Sequence, residues 1–325
     1  MKVAVYYRNS DVRIEDRPVP GIGEGEILVK VKASGICGTD VMEWYRIKKA
    51  PRILGHEIAG DIALSNSPKY KIGQRVFVSH HVPCYQCKHC KAGNHTACET
   101  LHTGNFDPGG YSEFIRVPKI NVEHGIYVLP ENVSYEEGTM IEPLACAVRG
   151  QRVIDVQKGQ TVLILGSGIS GLMNVQIAKL KQARIIVTDM DDARLKKARE
   201  YGANEVYHPK DLPAVKADKV ILCTGALPAV QQAFRSLDRK GTLLLFAIPE
   251  TDIQLPTVDV WRNEITVTSS YGAAPEDLVE SMELIRTGKV DMKSLITHKL
   301  PLAQAQEGFR IVAEAKQSLK VVLLP

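Results

Sequence analysis

Cys84, Cys87, Cys90 and Cys98 stand as Cys-x2-Cys-x2-Cys-x7-Cys in one short stretch of the chain. Four thiolates with spacers this short can close tetrahedrally around one Zn²⁺, and an all-cysteine site is structural because it leaves no position for a substrate. A second, open metal site must therefore be sought elsewhere. The residue types for one are Cys37 in Cys37-Gly-Thr-Asp40, His56 and Glu57 in Gly55-His-Glu-Ile-Ala-Gly60, and Glu142 in Ile141-Glu-Pro-Leu144. Cysteine, histidine and carboxylate are zinc ligands, and three of them plus an open position make a catalytic site. Their spacings are long. Taken singly, each residue also fits a blander role: a buried thiol, a surface His-Glu pair, an acid before a turn. His89 and His95 lie inside the four-cysteine loop and could substitute as ligands, but are read as exposed; His80-His81 follow a strand and could approach the open site, but are read as surface or packing residues.

A second constellation is Gly166-Ser-Gly168-Ile-Ser-Gly171. It follows the apolar run Thr161-Val-Leu-Ile-Leu165 and precedes a stretch of helical spacing from Leu172 to Lys181. In that strand–turn–helix context the glycines allow a tight turn and close approach to a pyrophosphate, which the helix N-terminus binds through its free amides. Asp189, 18 residues after Gly171, ends the next strand and can hold ribose hydroxyls. Its carboxylate would repel a 2′-phosphate, and Met190-Asp191-Asp192 offer no arginine to receive one, so NAD is expected over NADP.

These residues need two kinds of scaffold. Residues 27–33, 58–63 and 75–78 read as short strands among dense glycine and proline. From about residue 150 buried-type strands (161–165, 185–188, 219–223, 242–246) alternate with helices (172–181, 192–201), which implies a parallel sheet with right-handed crossovers. Gly202 stops the second helix, and another helix runs over 276–286. With 325 residues, two domains are expected: 1–145 plus 274–325, and 146–273. Net charge is +4 without a Lys/Arg-rich block, so no nucleic-acid partner is expected. No run of 18 apolar residues and no secretory leader are present, so neither a membrane nor secretion is expected. The chain is expected in the cytosol, where reduced thiols favour a metal over disulfides.

Taken together, Gly35-Ile-Cys37-Gly-Thr-Asp40, Gly55-His-Glu-x-x-Gly60, the four-cysteine loop, Gly110-Tyr-Ser-Glu-Phe114, Glu142-Pro-Leu and the glycine turn come in the order of the zinc-dependent medium-chain dehydrogenase/reductase family. The chain resembles its alcohol, sorbitol and threonine dehydrogenase members over essentially its whole length, the tail Ile296-Thr-His-Lys-Leu-Pro301 included. The resemblance implies an α/β fold: a doubly wound Rossmann sheet beside a β-rich, GroES-like catalytic domain. It implies two zincs per chain, NAD, and interconversion of a secondary alcohol (polyol, sugar alcohol or hydroxy amino acid) with its ketone.

By position, Cys37, His56 and Glu142 match the catalytic-zinc ligands, and Glu57 a conditional fourth. Thr39 matches the hydroxyl that passes on the substrate's proton. Asp189 and Arg194 match ribose contacts, and Ser170 a backbone contact at the turn that Gly166, Gly168 and Gly171 form. Two positions depart from the pattern. Met42 stands where many relatives carry a proton-relay histidine. Arg149 stands where acid-containing relatives often carry another, and is read either as a structural residue or as a contact for an anionic substrate. A zinc-binding relative without catalysis, an NADPH quinone-type reductase and a cysteine redox switch are the competing classes. The complete ligand set opposes the first, and Asp189 with the cysteines the second. Zinc content under reducing conditions separates the third. Residues 265–269 read as an exposed sheet edge, which implies a homodimer or homotetramer.

Overall fold

The computed structural model describes residues 1–316 and 318–325 and forms two compact units, Met1–Ala145 with Gly272–Pro325, and Cys146–Tyr271. In the first unit a mixed sheet runs in the order Ile296–Pro301, Lys320–Leu324, Ile27–Gly35, Glu57–Ser65, Arg75–Ser79, Ile126–Val128, and Phe114–Val117 also pairs with Ile27–Gly35. A smaller sheet joins Lys2–Arg8 to Asp11–Asp16 and Arg52–Ile53. The alternating residues Ile27, Val29 and Val31 point into one apolar cluster with Ile58, Val76 and Val78. A second cluster packs Tyr6, tilted, and Tyr111, edge-on, against Phe309, with ring centroids 5.6 and 5.7 Å away. Each of these aromatic rings contributes about 1.5–3 kcal/mol by burial.

The second unit is a six-stranded parallel sheet in the order Glu205–Tyr207, Arg184–Thr188, Thr161–Leu165, Ala217–Leu222, Leu237–Leu245, Thr266–Ser269. In chain order this is 3-2-1-4-5-6, the doubly wound arrangement whose ligands bind at the carboxyl ends of the strands. Val162 to Leu165 are all fully buried, which is why that strand is apolar without alternation. The following helices are capped as their sequences demand. Asp191 accepts from the amides of Ala193 (2.8 Å) and Arg194 (3.1 Å), and Gly202 ends Asp192–Tyr201 with φ 117°. Among the described residues no helix is long and apolar enough to cross a membrane.

Candidate metal centres and cofactor turn

Three adjacent strands of the first unit build its centre. Gly35 pairs with Glu57 on one side and with Val322 on the other. A Cβ at Gly35 would lie 2.2 Å from Glu57 Oε2 and 2.8 Å from Lys320 Cε, so only glycine lets the two side chains meet across it. Glu57 and Lys320 form an ion pair, and both are almost wholly buried. Burial alone would push Lys320 down, but Glu57 and then Cys37 outweigh it, and the ammonium is held charged.

Just past Gly35 the chain turns. Cys37 Sγ accepts from Thr39 N (3.5 Å) and Thr39 Oγ1 (3.2 Å), and the Cys37 amide donates to Asp40 Oδ2 (3.3 Å). Asp40 is fully buried and serves several partners. Tyr111 donates to its Oδ2 at 2.5 Å, Arg46 Nη2 to its Oδ1 at 3.1 Å, and His56 Nδ1 lies 3.7 Å from Oδ1. With Nδ1 turned to Asp40, Nε2 is the ring nitrogen left for a metal.

The ligand atoms of Cys37, His56 and Glu57 lie within 4.8 Å of one another. Glu142 is also buried and its charge acts on His56 and Lys320, but it is not among those three. Glu57 is brought in by following His56 directly in the chain, whereas Glu142 arrives on the first turn of the remote helix Ile141–Val153. Three observations fit a divalent cation here. The donor set is sulfur, nitrogen and oxygen, which suits zinc. Glu57 Oε1 is buried without a hydrogen-bond partner among the described residues. Finally, three carboxylates (Asp40, Glu57, Glu142) face two cations (Arg46, Lys320), so with Cys37 as thiolate and His56 as the neutral ring that a metal takes, the buried group carries two excess negative charges.

The same charges act on His56. Burial pushes its pKa down, but Asp40, then Cys37 and Glu142, outweigh that and raise it to about 10. A metal takes the neutral ring, so its uptake must displace this proton. Zinc binding to the metal-free protein is expected to release protons at pH 7–9, with affinity rising as pH rises towards 10. Proton release in weak buffer measures this, and pH-independent binding across that range contradicts it. The linkage to folding has a defined sign. A raised histidine stabilises the metal-free fold fully below pH 6.5, and the contribution fades as pH rises towards 10.

His80, expected at the surface or in packing, belongs to this centre. Because Glu57 pairs with Ser79 in the antiparallel register, His80 falls opposite His56, with ring centroids 4.9 Å apart. Burial, then His81 and His56, keep His80 neutral, and burial followed by His56 and His102 pushes His81 down to about 3. Asp40 was legible only as part of a motif, and neither Lys320 nor Arg46 carries any local signal, because each reaches the site through strand pairing or a turn.

The four-cysteine loop gathers as its spacing predicts, with all four Sγ atoms within 4.8 Å of one another. Cys87 and Cys90 sulfurs are 3.5 Å apart, and those of Cys84 and Cys90 4.0 Å. Zinc–sulfur bonds of about 2.3 Å in a tetrahedron require sulfurs about 3.8 Å apart. Amides of Gln86 and Cys87 donate to Cys84, and that of Cys84 to Cys98. Burial opposes the Cys98 thiolate, but the Cys84 and Leu101 amides bring its pKa down to about 6. His95, read as exposed, is instead part-buried against the Tyr85 ring, with Nδ1 3.5 Å from Glu276. The loop thus lies against the helix Pro275–Arg286, which carries Glu276, and the spacing within the loop does not reveal this.

In the second unit the glycine turn joins Thr161–Leu165 to the helix Ile169–Leu180. Gly166 has φ 94°, and a Cβ at Gly171 would lie 2.0 Å from Gly166 O. Both positions exclude side chains, as a turn that admits a phosphate requires. Gly168 caps the helix without a side-chain hydrogen bond, so amides at this end are left for a ligand. Ser170 sits in the first turn, its carbonyl held by Asn174 Nδ2 (3.0 Å). Asp189 Oδ2 accepts from Ser167 N (2.6 Å) and Ser167 Oγ (3.0 Å), tying the acid to the turn. A guanidinium nitrogen of Arg194 lies 3.8 Å from where a Gly168 Cβ would stand, so this arginine covers the turn.

Residues 23–126 match the family model described as the alcohol dehydrogenase GroES-like domain, and residues 170–287 the zinc-binding dehydrogenase model. The chain is 33% identical to a sorbitol dehydrogenase of Bacillus subtilis, covering 100% of this chain and 97% of that one. It is 27% identical, with a TM-score of 0.88, to an Escherichia coli CFT073 structure described as a short chain alcohol dehydrogenase complexed with NADH, covering 100% and 99% of the two chains. A zinc-binding dehydrogenase structure from Sinorhizobium meliloti 1021, bound to NADP, is 25% identical with a TM-score of 0.87 and covers 100% and 99%. The GroES-like unit, the doubly wound sheet and this full-length similarity identify the chain as a member of the zinc-dependent medium-chain dehydrogenase family, an oxidoreductase of alcohols and polyols.

Proposed function

We propose that the protein is a zinc- and NAD-dependent dehydrogenase that interconverts a secondary alcohol of a polyol with its ketone. The observation that carries this reading is the convergence of Cys37, His56 and Glu57, with Glu142 beside them, in a buried pocket of excess negative charge. Cys37, His56 and either Glu57 or Glu142 would hold the catalytic zinc, and Cys84, Cys87, Cys90 and Cys98 a structural one. When bound, zinc supplies Lewis acidity towards the substrate oxygen, and NAD supplies the hydride acceptor.

The chain's own residues do the rest. Asp40 orients His56 and Tyr111 steadies Asp40. The Thr39 hydroxyl, 3.2 Å from Cys37 Sγ, is placed to exchange a hydrogen bond with a substrate oxygen. Gly166, Gly168, Ser170 and Gly171 offer the pyrophosphate their backbone, and Asp189 with Arg194 flanks the ribose. The edge strand Thr266–Ser269 and exposed Val258 and Trp261 support a homodimer or homotetramer.

Sorbitol oxidation with NAD and with NADP, with and without a chelator, tests the reading. Expected are chelator-sensitive turnover and a preference for NAD of at least about a hundredfold, since a 2′-phosphate beside Asp189 costs several kcal/mol. Asp189→Gly should erase most of that preference. Equal use of both cofactors by the unaltered protein would reject the NAD assignment, and turnover unaffected by complete zinc removal would reject the metal.

A further inference from the structure

Ser167 is the middle residue of Gly166-Ser-Gly168, and its side chain is fully buried beneath the turn. The turn is tied to the neighbouring strand Arg184–Thr188. Gly166 N donates to Thr188 O at 2.8 Å, and Gly166 stands at φ 94°, a step that suits glycine and brings the next residue to the end of that strand. There Ser167 N and Ser167 Oγ both donate to Asp189 Oδ2, at 2.6 and 3.0 Å. From the other side the Asp191 amide donates to Asp189 Oδ1 at 3.0 Å. The Asp191 side chain in turn caps the helix Asp192–Tyr201, so this donor is fixed as well.

An ionised carboxylate only accepts, at about four lone-pair positions. Three are filled here, two on Oδ2 and one on Oδ1, and the place left for a ribose hydroxyl is on Oδ1. Asp189 is partly exposed, as a ligand contact requires. Hydrogen bonds to a charged acceptor are of the stronger class, and these three pin the carboxylate at both oxygens. Two of the donors are backbone amides and come with the fold. The third, the Ser167 hydroxyl, is the one that belongs to a side chain.

A fixed carboxylate treats two cofactors differently. A free ribose hydroxyl gains an acceptor that is already oriented, whereas a 2′-phosphate meets a like charge that cannot swing aside. We propose that Ser167 is a positioning residue that locks Asp189 towards the ribose and so sets the discrimination between a ribose 2′-hydroxyl and a 2′-phosphate. The proposal rests on the NAD reading given under Proposed function. The contribution of Ser167 passes through Asp189 and is expressed in the ratio of the two cofactor affinities.

The test is equilibrium binding of NADH and of NADPH to the zinc-loaded protein, read from nicotinamide fluorescence without substrate. Ser167→Ala keeps both amides and removes the hydroxyl. It is expected to lower the preference for NADH roughly 5–30-fold, by weakening NADH and leaving NADPH unchanged or tighter. In the Asp189→Gly background the same substitution should change the ratio less than about twofold, because its target is gone. Ser167→Cys fills the buried volume with a weak donor and should act in the same direction, and it replaces Ser167→Ala if that protein does not fold. Thermal midpoints should stay within a few degrees. A merely structural role would damage the turn and weaken both dinucleotides alike. Equal weakening, an unchanged ratio, or the same change of ratio in the Asp189→Gly background would overturn the proposal. If the unaltered protein prefers NADH and only the Ser167 variants fail to shift the ratio, the role of Ser167 is wrong and the NAD reading stands. If the unaltered protein binds both cofactors equally, the NAD reading is wrong and the proposal falls with it.

Discussion

Cys37→Ala is expected to lose one of two zincs per chain and about a thousandfold or more of dehydrogenase activity. A catalytic metal supplies several kcal/mol of charge stabilisation, and each 1.36 kcal/mol is tenfold in rate. The thiolate has a second task, since its sulfur accepts both hydrogen bonds that set Thr39. Cys37→Ser keeps an acceptor for Thr39 but offers a neutral hydroxyl to the metal, so it should lose zinc nearly as completely. The four-cysteine loop lies on other elements and should keep its zinc in both variants. Metal analysis together with initial rates decides the matter. A Cys37→Ala protein with two zincs and full turnover would remove this residue from the centre.

The second large effect concerns stability. Lys320→Met is expected to destabilise the metal-free protein by about 3–5 kcal/mol, because it leaves the Glu57 carboxylate buried and uncompensated. The penalty belongs to the stranded charge rather than to the pair. The double variant Lys320→Met, Glu57→Gln should therefore recover most of the loss, as coupled neighbours do. Added zinc should also recover part of it, since a cation beside Glu57 replaces the ammonium. Urea midpoints of the three proteins, with and without zinc, measure both effects. A loss under about 1 kcal/mol in Lys320→Met, with no rescue by Glu57→Gln, would show that Glu57 is not held by this lysine.

The parts of the fold with a local cause were legible in the chain. Val162 to Leu165 is apolar throughout because the strand is buried on both faces, and Gly202 ends its helix because the backbone there must turn left-handed. The glycine turn and the four-cysteine loop were legible for the same reason. In each, the geometry that matters spans a few residues, and spacing encodes it. His56 and Cys37 could be matched to a pattern, but their company could not be read. His80 faces His56 through the pairing of Glu57 with Ser79, and Lys320 reaches Glu57 across Gly35 from the far end of the chain. No periodicity reports a register between strands so far apart in sequence.

The sequence by itself thus determined the ligand chemistry: which residues can bind a soft divalent cation, where a phosphate can approach the backbone, and which acid ends the second strand of the cofactor sheet. Tertiary structure decided the electrostatics. Whether a carboxylate ligates, pairs or repels depends on the charges within a few ångströms, and desolvation magnifies each of them. Glu57 and Glu142 look alike as letters. In the folded chain one is paired with a buried lysine and gathered with Cys37 and His56, and the other acts on them from outside that group.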